Sequence, residues 1–273
     1  MKYIIIGAVA GGASTAARLR RLDEHAEIII FERGEYISYA NCGLPYYIGD
    51  VINDRDKLFV QTAEVFNKRF HIDVRTLTEV LEINRKNKVI TAVKQSTGEV
   101  YTENYDKLVL SPGAEPIRPS LPGINTEGIF TLRNVRDTDF IKNYIVQNNV
   151  KSAVVIGGGF IGLEMAENFH HLGLQVVVIE MSNQILTPLD FPIAALAQQH
   201  IRSQGVQLRL NTTVTGFSTD SDTMSVTLNN GEVLKTDIVL LSIGVRPDTK
   251  LAEKAGLKIG SAGGIAVNEF LQT

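Results

Sequence analysis

The chain has 273 residues, 44% of them hydrophobic and 21% charged, with a net charge of −3. That gives room for two domains with full cores and an ordinary soluble composition, with no basic stripe for nucleic acid. No apolar run reaches the roughly 18 residues of a membrane-spanning helix, and a single cysteine excludes an intrachain disulfide framework and suits a reducing cytoplasm.

The chain opens on YIIIGAVAGGASTAARLRRL and then AEIIIFE, which closes on Glu32. This reads as a strand, a tight glycine turn, a small-residue helix and a second strand ending on an acid. The turn and the exposed N–H groups at the helix start suit a pyrophosphate, and the terminal carboxylate suits a ribose diol. Gly7 and Gly12 take the outer positions of GxGxxG, Gly11 is added, and Val9 replaces the middle glycine. Lys2, the apolar run and the small residues also imitate a signal peptide. Recurrence of the same cassette around residue 153 favours the structural reading.

Ten residues after Glu32 stands Cys42, in ERGEYISYANCGLPYYIGD, where a polar loop meets a segment able to start a helix. A cysteine at a helix N-terminus can become a thiolate nucleophile; the competing reading is a small buried hydrophobe. Ser38 and Asn41 are hydrogen-bonding neighbours in the chain, and Gly43 and Pro45 shape the loop. KVITAV and STGEVYTENYDKLVLSPGAEP then describe β-formers around a turn and a buried strand ending at Gly113.

The second copy is SAVVIGGGFIGLEMAENFHHLGL and QVVVIE, closing on Glu180, with Gly157, Gly159 and Gly162 at the full spacing. Behind it MSVTLNNGEVLKTDIVLLSIGVRP repeats the earlier pattern and ends its strand at Gly244. The repeat unit is therefore a domain, and two such units imply two dinucleotides. The expected fold is α/β: two Rossmann-like dinucleotide-binding domains, each a central parallel sheet with a three-stranded β-meander. The expected boundaries are 1–113, 114–247 and a return over 248–273. The five histidines show neither metal-ligand nor triad spacing.

The doubled unit with an early cysteine resembles the pyridine nucleotide-disulfide oxidoreductases, in which the first unit binds FAD and the second NAD(P)H. The CxxxxC of the glutathione reductase type would place its second cysteine at Tyr47, so a dithiol mechanism is excluded. SYANCGLPYYIG instead resembles the SFxNCxLPY signature of the single-cysteine branch, the coenzyme A disulfide reductases and the related persulfide or polysulfide reductases, which carry a C-terminal rhodanese domain. GAVAGGASTAARLRRL, YDKLVLSPGA, LRN at Leu132 to Asn134 and GGGFIGLEMAE match the same group.

That resemblance implies FAD along Gly7, Gly11 and Gly12, with Glu32 on its ribose, backbone contact near Val80, Ser111, Pro112 and Gly113 closing over it, and Arg133 as a further flavin-side residue. It implies NADH along Gly157, Gly159, Phe160, Ile161 and Gly162, with Glu180 on the 2′-hydroxyl, where a carboxylate disfavours NADPH; Gly244 is counted among the cofactor-binding residues. Phe160 and Glu164 correspond to residues that gate and contact the nicotinamide. Cys42 would cycle through a mixed disulfide, with coenzyme A as substrate or bound thiol and Arg18, Arg21, Ser38 and Asn41 around the substrate. A family lysine falls near Phe70, where only Lys68 and Arg69 are available. The alternatives are an NADH oxidase or peroxidase using a Cys42 sulfenic acid, and a non-catalytic redox-sensing module. Resembling proteins continue past GGIAVNEFLQT with a Gly-Asp flavin motif and an interface domain. The expectation is thus a fragment of a longer cytoplasmic homodimer, without membrane or nucleic-acid partners.

Overall fold

In the computed structural model, which describes residues 1–220 and 223–273, the elements run β1 (Lys2–Ile6), α1 (Ala10–Leu22), β2 (Glu27–Phe31), α2 (Leu44–Ile48), α3 (Ala63–Phe70), β3 (Asp73–Arg75), β4 (Thr78–Asn84), β5 (Val89–Lys94), β6 (Glu99–Asn104), β7 (Lys107–Leu110) and β8 (Ala114–Pro116). They continue as β9 (Ile129–Phe130), α4 (Val135–Gln147), β10 (Ser152–Ile156), α5 (Phe160–His171), β11 (Gln175–Ile179), α6 (Phe191–Ser203), β12 (Gln207–Arg209), β13 (Val214–Asp220), β14 (Thr223–Leu228), β15 (Val233–Thr236), β16 (Ile238–Leu241), β17 (Val245–Pro247) and α7 (Lys250–Lys254). The chain divides into two units. One is Met1–Ala40 with Phe59–Glu115 and Arg246–Thr273; the other is Asn41–Leu58 with Pro116–Val245.

In the first unit a parallel sheet has the order β3-β2-β1-β7, with Ile4 between Ile29 and Leu108. Ile4, Ile5, Ile28, Ile29 and Ile30 are all buried, as expected of strands covered on both faces. Alternation divides them. Ile5, Ile28 and Ile30 pack with Ala13 and Ala16 of α1 and Phe66 of α3, and the alanines allow the helix to lie close. Ile4, Ile6, Ile29 and Phe31 face Val80, Ile83, Ile90 and Ala92 of the antiparallel meander β4-β5-β6.

The second unit repeats this plan with one more strand, in the order β12-β11-β10-β16-β9. Val154, Ile156, Ile179, Val239 and Leu241 pack under Phe217, Met224, Val226 and Leu228 of the meander β13-β14-β15. The register of each meander shifts in its first strand, between Val80 and Glu82 and between Val214 and Gly216. The fold is the expected α/β pair of Rossmann-like domains. The sequence pattern did not expose α3, α4, α6, β3, β9 or β12, which complete the sheets and their covering layers.

The unit boundaries differ from the expected ones by two residues at each seam and, more substantially, in one segment. Residues 41–58, assigned by sequence order to the stretch 1–113, group with the second unit because α2 packs on α4 and α5. Among the described residues no helix is long and apolar enough to cross a membrane.

Candidate functional site: two dinucleotide cradles and a thiol turn

The first cradle lies where β1 turns into α1. Gly7 has φ +97°, and a Cβ there would fall 2.1 Å from the Ser111 carbonyl oxygen; a Cβ on Gly12 would fall 1.7 Å from the Gly7 oxygen. These two glycines are needed for strand, turn and helix to approach at all. Gly11 is exposed, and a Cβ there would come within 3.2 Å of the Ser111 Oγ. The N-cap of α1 is Val9, with φ −86° and ψ −116°; no side chain caps it and no acid occupies the first turn. Its positive end is therefore left for an external anion. At the end of β2, Glu32 Oε2 accepts the Ala8 N–H at 2.8 Å and Oε1 accepts the Gly34 N–H at 2.7 Å. The carboxylate is thereby fixed while keeping acceptor positions for a diol.

The second cradle reproduces these relations. Gly157 has φ +110°, with its Cβ position 2.4 Å from the Ser242 oxygen, and the Cβ position of Gly162 is 2.1 Å from the Gly157 oxygen. Glu180 Oε2 accepts the Gly158 N–H at 2.7 Å and Oε1 the Ser182 N–H at 2.8 Å. The N-cap is Gly159, φ −81° and ψ −177°, again without a side-chain cap or first-turn acid. The two N-caps therefore share φ and differ in ψ at the middle position of the motif, where one copy has Val9 and the other Gly159. No atom lies within 4 Å of a Cβ built on Gly159, so this position leaves room for the close approach a phosphate would need. Both cradles fit a dinucleotide pyrophosphate: open helix ends, glycines where a Cβ would collide, and a tethered carboxylate at the ribose end.

The strands that return to each sheet close the cradles in the same way. Ser111 donates its N–H to the Ile6 oxygen, and Ser242 to that of Ile156, both at 2.8 Å. Ser242 Oγ also donates to the Ile156 and Gly157 oxygens at 3.0 and 3.1 Å. Sequence reasoning singled out Ser111 but not Ser242, although the paired strings LVLSPG and VLLSIG align them. Gly113 and Gly244 follow at φ +78° and +108°, and their carbonyls accept the N–H groups of Asp248 and Ile117. Pro112 lies between Ser111 and Gly113, and Val80 is buried at the shifted register of β4.

Phe160 and Ile161, in the first turn of α5, are 60% and 43% exposed, an apolar rim suited to a flat ring. Glu164 lies one turn further on, its carboxyl pushed up by burial and by the Glu167 charge. Arg133 belongs to the second unit at the start of α4, where its N–H donates to Asp137. Ser38 belongs to the first unit: its N–H donates to the Ala8 oxygen at 3.3 Å, and it has φ +46°.

Cys42 is a free, exposed thiol in the turn Asn41–Gly43, directly before α2. The buried-hydrophobe reading is thereby excluded. Asn41 shares the turn and is exposed. One turn along, the Tyr46 phenol is pushed up by burial, then by Glu167, Glu164 and Cys42, so these groups lie within one electrostatic neighbourhood. On α1, Arg18 and Arg21 are exposed, whereas Arg20 is used internally, donating to the Phe70 and His71 oxygens at 2.7 and 2.8 Å. Among the described residues no group of three His, Cys, Asp or Glu could hold a metal ion.

Fold and cradles together define a class, a Rossmann-type oxidoreductase with paired dinucleotide-binding units. The family model described as pyridine nucleotide-disulphide oxidoreductase matches residues 1–273, and the chain belongs to that family. Membership implies FAD and NAD(P)H as cofactors. The chain is 37% identical over 272 residues to the coenzyme A disulfide reductase of Staphylococcus haemolyticus, covering 100% of this chain and 60% of that protein. Among solved structures it is similar to the reduced Bacillus anthracis CoADR-RHD, with 51% identity and a TM-score of 0.97 over 99% of this chain and 48% of the other. It is also similar to a NAD-dependent persulfide reductase from A. fulgidus, with 38% identity and a TM-score of 0.94 over 99% of this chain and 50% of the other. The chain thus spans about half to 60% of the length of these relatives.

Proposed function

We propose that this chain forms the dinucleotide-binding part of an FAD-dependent, NADH-linked reductase that uses Cys42 to reduce coenzyme A disulfide, coenzyme A persulfide or polysulfide. The observation that carries the reading is the exposed lone thiol of Cys42 in the turn leading into α2, in a chain that also carries two open dinucleotide cradles. FAD is assigned to Gly7, Gly11, Gly12 and Glu32, with the Val80 backbone and Ser111 to Gly113, and with Arg133 on the flavin side. NADH is assigned to Gly157 through Gly162 and Glu180, with Gly244 at the strand end and Phe160 and Glu164 towards the nicotinamide. Both Glu180 oxygens are held by backbone N–H groups, so the carboxylate cannot readily swing aside for a 2′-phosphate, which favours NADH over NADPH.

FAD, when bound, supplies the means of passing a hydride's two electrons from NADH to a sulfur couple. The chain's own chemistry is thiol exchange. The Cys42 thiolate attacks a substrate disulfide or persulfide, its S–S bond forms as the substrate's breaks, and the first thiolate leaves. Two electrons from NADH then cleave the mixed disulfide, the second thiol departs with a proton, and Cys42 is again a thiolate. Arg18 and Arg21, exposed on α1, suit coenzyme A phosphates, with Ser38 and Asn41 as further substrate-side residues. The whole protein is proposed to act as a homodimer in the cytoplasm.

The test uses the full-length holoenzyme and its Cys42→Ser variant, assayed with NADH and NADPH. Flavin bleaching by NADH should persist while thiol release from coenzyme A disulfide or persulfide falls on the order of a thousandfold or more. Undiminished thiol release by the variant would sink the proposal. Cysteine-dependent oxygen consumption without thiol release would assign the protein instead to the oxidase chemistry named for the Lactobacillus brevis NADH oxidase, to which the chain is 28% identical.

A further inference from the structure

The turn that carries Cys42 runs into a helix of five residues, too short to hold its own orientation, so that orientation is imposed from outside. Two side chains of α4 do this. Lys142 Nζ donates to the Tyr47 carbonyl at 2.7 Å and to Asp50 Oδ1 at 2.5 Å, and it lies 4.5 Å from the centre of the Tyr47 ring. One turn earlier, Asp139 receives Arg55 through two bonds, Nε at 3.0 Å and Nη2 at 2.7 Å. The segment after the cysteine is therefore gripped at both ends, at 47–50 and at 55. A cation at the carboxyl end of α2 also meets the negative end of that helix.

Movement towards α5 is closed off as well. Gly49 lies so near Asn168 that a Cβ would fall 2.1 Å from its Oδ1, and Asn168 is buried, with Nδ2 donating to the Glu164 oxygen at 2.7 Å. We propose that Lys142 is a positioning residue for Cys42: it fixes the helix that follows the thiol and so sets the geometry of thiol attack, without touching substrate itself. The proposal rests on the reading of Cys42 as the reacting thiol.

The test compares Lys142→Met, Lys142→Arg and Asp50→Asn in the full-length holoenzyme, with Cys42→Ser alongside. Two readouts are followed: the rate of Cys42 alkylation by iodoacetamide in the reduced protein, and rapid-mixing rates for the two half-reactions. In Lys142→Met the alkylation rate should change by about threefold or more, and the disulfide-consuming half-reaction should slow on the order of tenfold. Flavin reduction by NADH should stay within about twofold. Lys142→Arg should recover most of the loss, and Asp50→Asn should fall between. The inference is overturned if alkylation and the disulfide half-reaction are unchanged in Lys142→Met, or, where that variant does not fold, in Asp50→Asn. It is also overturned if both half-reactions fall together, which is the mark of a merely structural lysine. A Cys42→Ser variant that still turns over would remove the parent reading instead, whatever Lys142 does.

Discussion

Gly159 and Gly162 stand three residues apart in one motif, yet they serve different ends. The Cβ position of Gly162 collides with the Gly157 oxygen, whereas that of Gly159 meets nothing within 4 Å. Gly162→Ala should therefore destabilise the protein by about 2–3 kcal/mol, seen as an earlier midpoint in urea unfolding. Gly159→Ala should leave the midpoint within about 0.5 kcal/mol and raise the KM for NADH on the order of tenfold, because its methyl would enter the space proposed for the pyrophosphate. Equal loss of stability in the two variants would contradict this division. The spacing made both glycines legible in the sequence, but their separate roles become visible only through Ser242 and Gly157, which fold back on the turn. Val9 shows the same limit: its identity flagged an irregular turn, and the altered ψ angle needed coordinates.

At the scale of elements, the strand returning to each sheet is pinned by the aspartate just before it. Asp106 Oδ2 accepts the Lys2 N–H at 2.7 Å, and Asp237 Oδ2 accepts the Lys151 and Ser152 N–H groups and the Ser152 hydroxyl, each at 2.9 Å. Burial pushes the Asp237 carboxyl up, but these donors outweigh it and hold it below the ordinary aspartate value of 3.8. A depressed folded value means that the stabilisation is present above 3.8 and is lost as pH falls through the folded value. Asp237→Asn should cost about 1–2 kcal/mol at neutral pH, and the gap from the parent protein should shrink on acidification; a gap independent of pH would contradict it. The repeated YDKLVL and TDIVLL strings held this aspartate in view without stating its function. The start of α4 is marked by a capping box of Asn134 and Asp137, a local signal that the repeated pattern leaves out of view. By contrast, α6 inverts the usual pattern, with Gln198 buried and Phe191, Ile193 and Leu196 exposed. Gln198 Oε1 accepts the Ile185 N–H at 3.2 Å, a long-range partner that periodicity cannot announce.

At the scale of the whole molecule, each unit has its own apolar core and its own cradle. Calorimetry of the ligand-free chain should resolve two transitions, with FAD raising one and NADH the other, each by about 2.7 kcal/mol at a hundredfold excess over its dissociation constant. A single transition would count against independently unfolding units, and stabilisation by the two ligands that fails to add would count against separate sites. The doubled plan was readable because its apolar runs and glycines recur in order. The allegiance of residues 41–58 was not, because their anchors Asp139 and Lys142 lie more than eighty positions downstream. That separation has a consequence for biosynthesis. The thiol leaves the ribosome well before the helices that will hold it, and at usual translation speeds the interval is on the order of ten seconds. During this time Cys42 is an unsupported nascent-chain thiol, open to any oxidant or electrophile present, so in that interval its redox state is set by its surroundings and not by the fold.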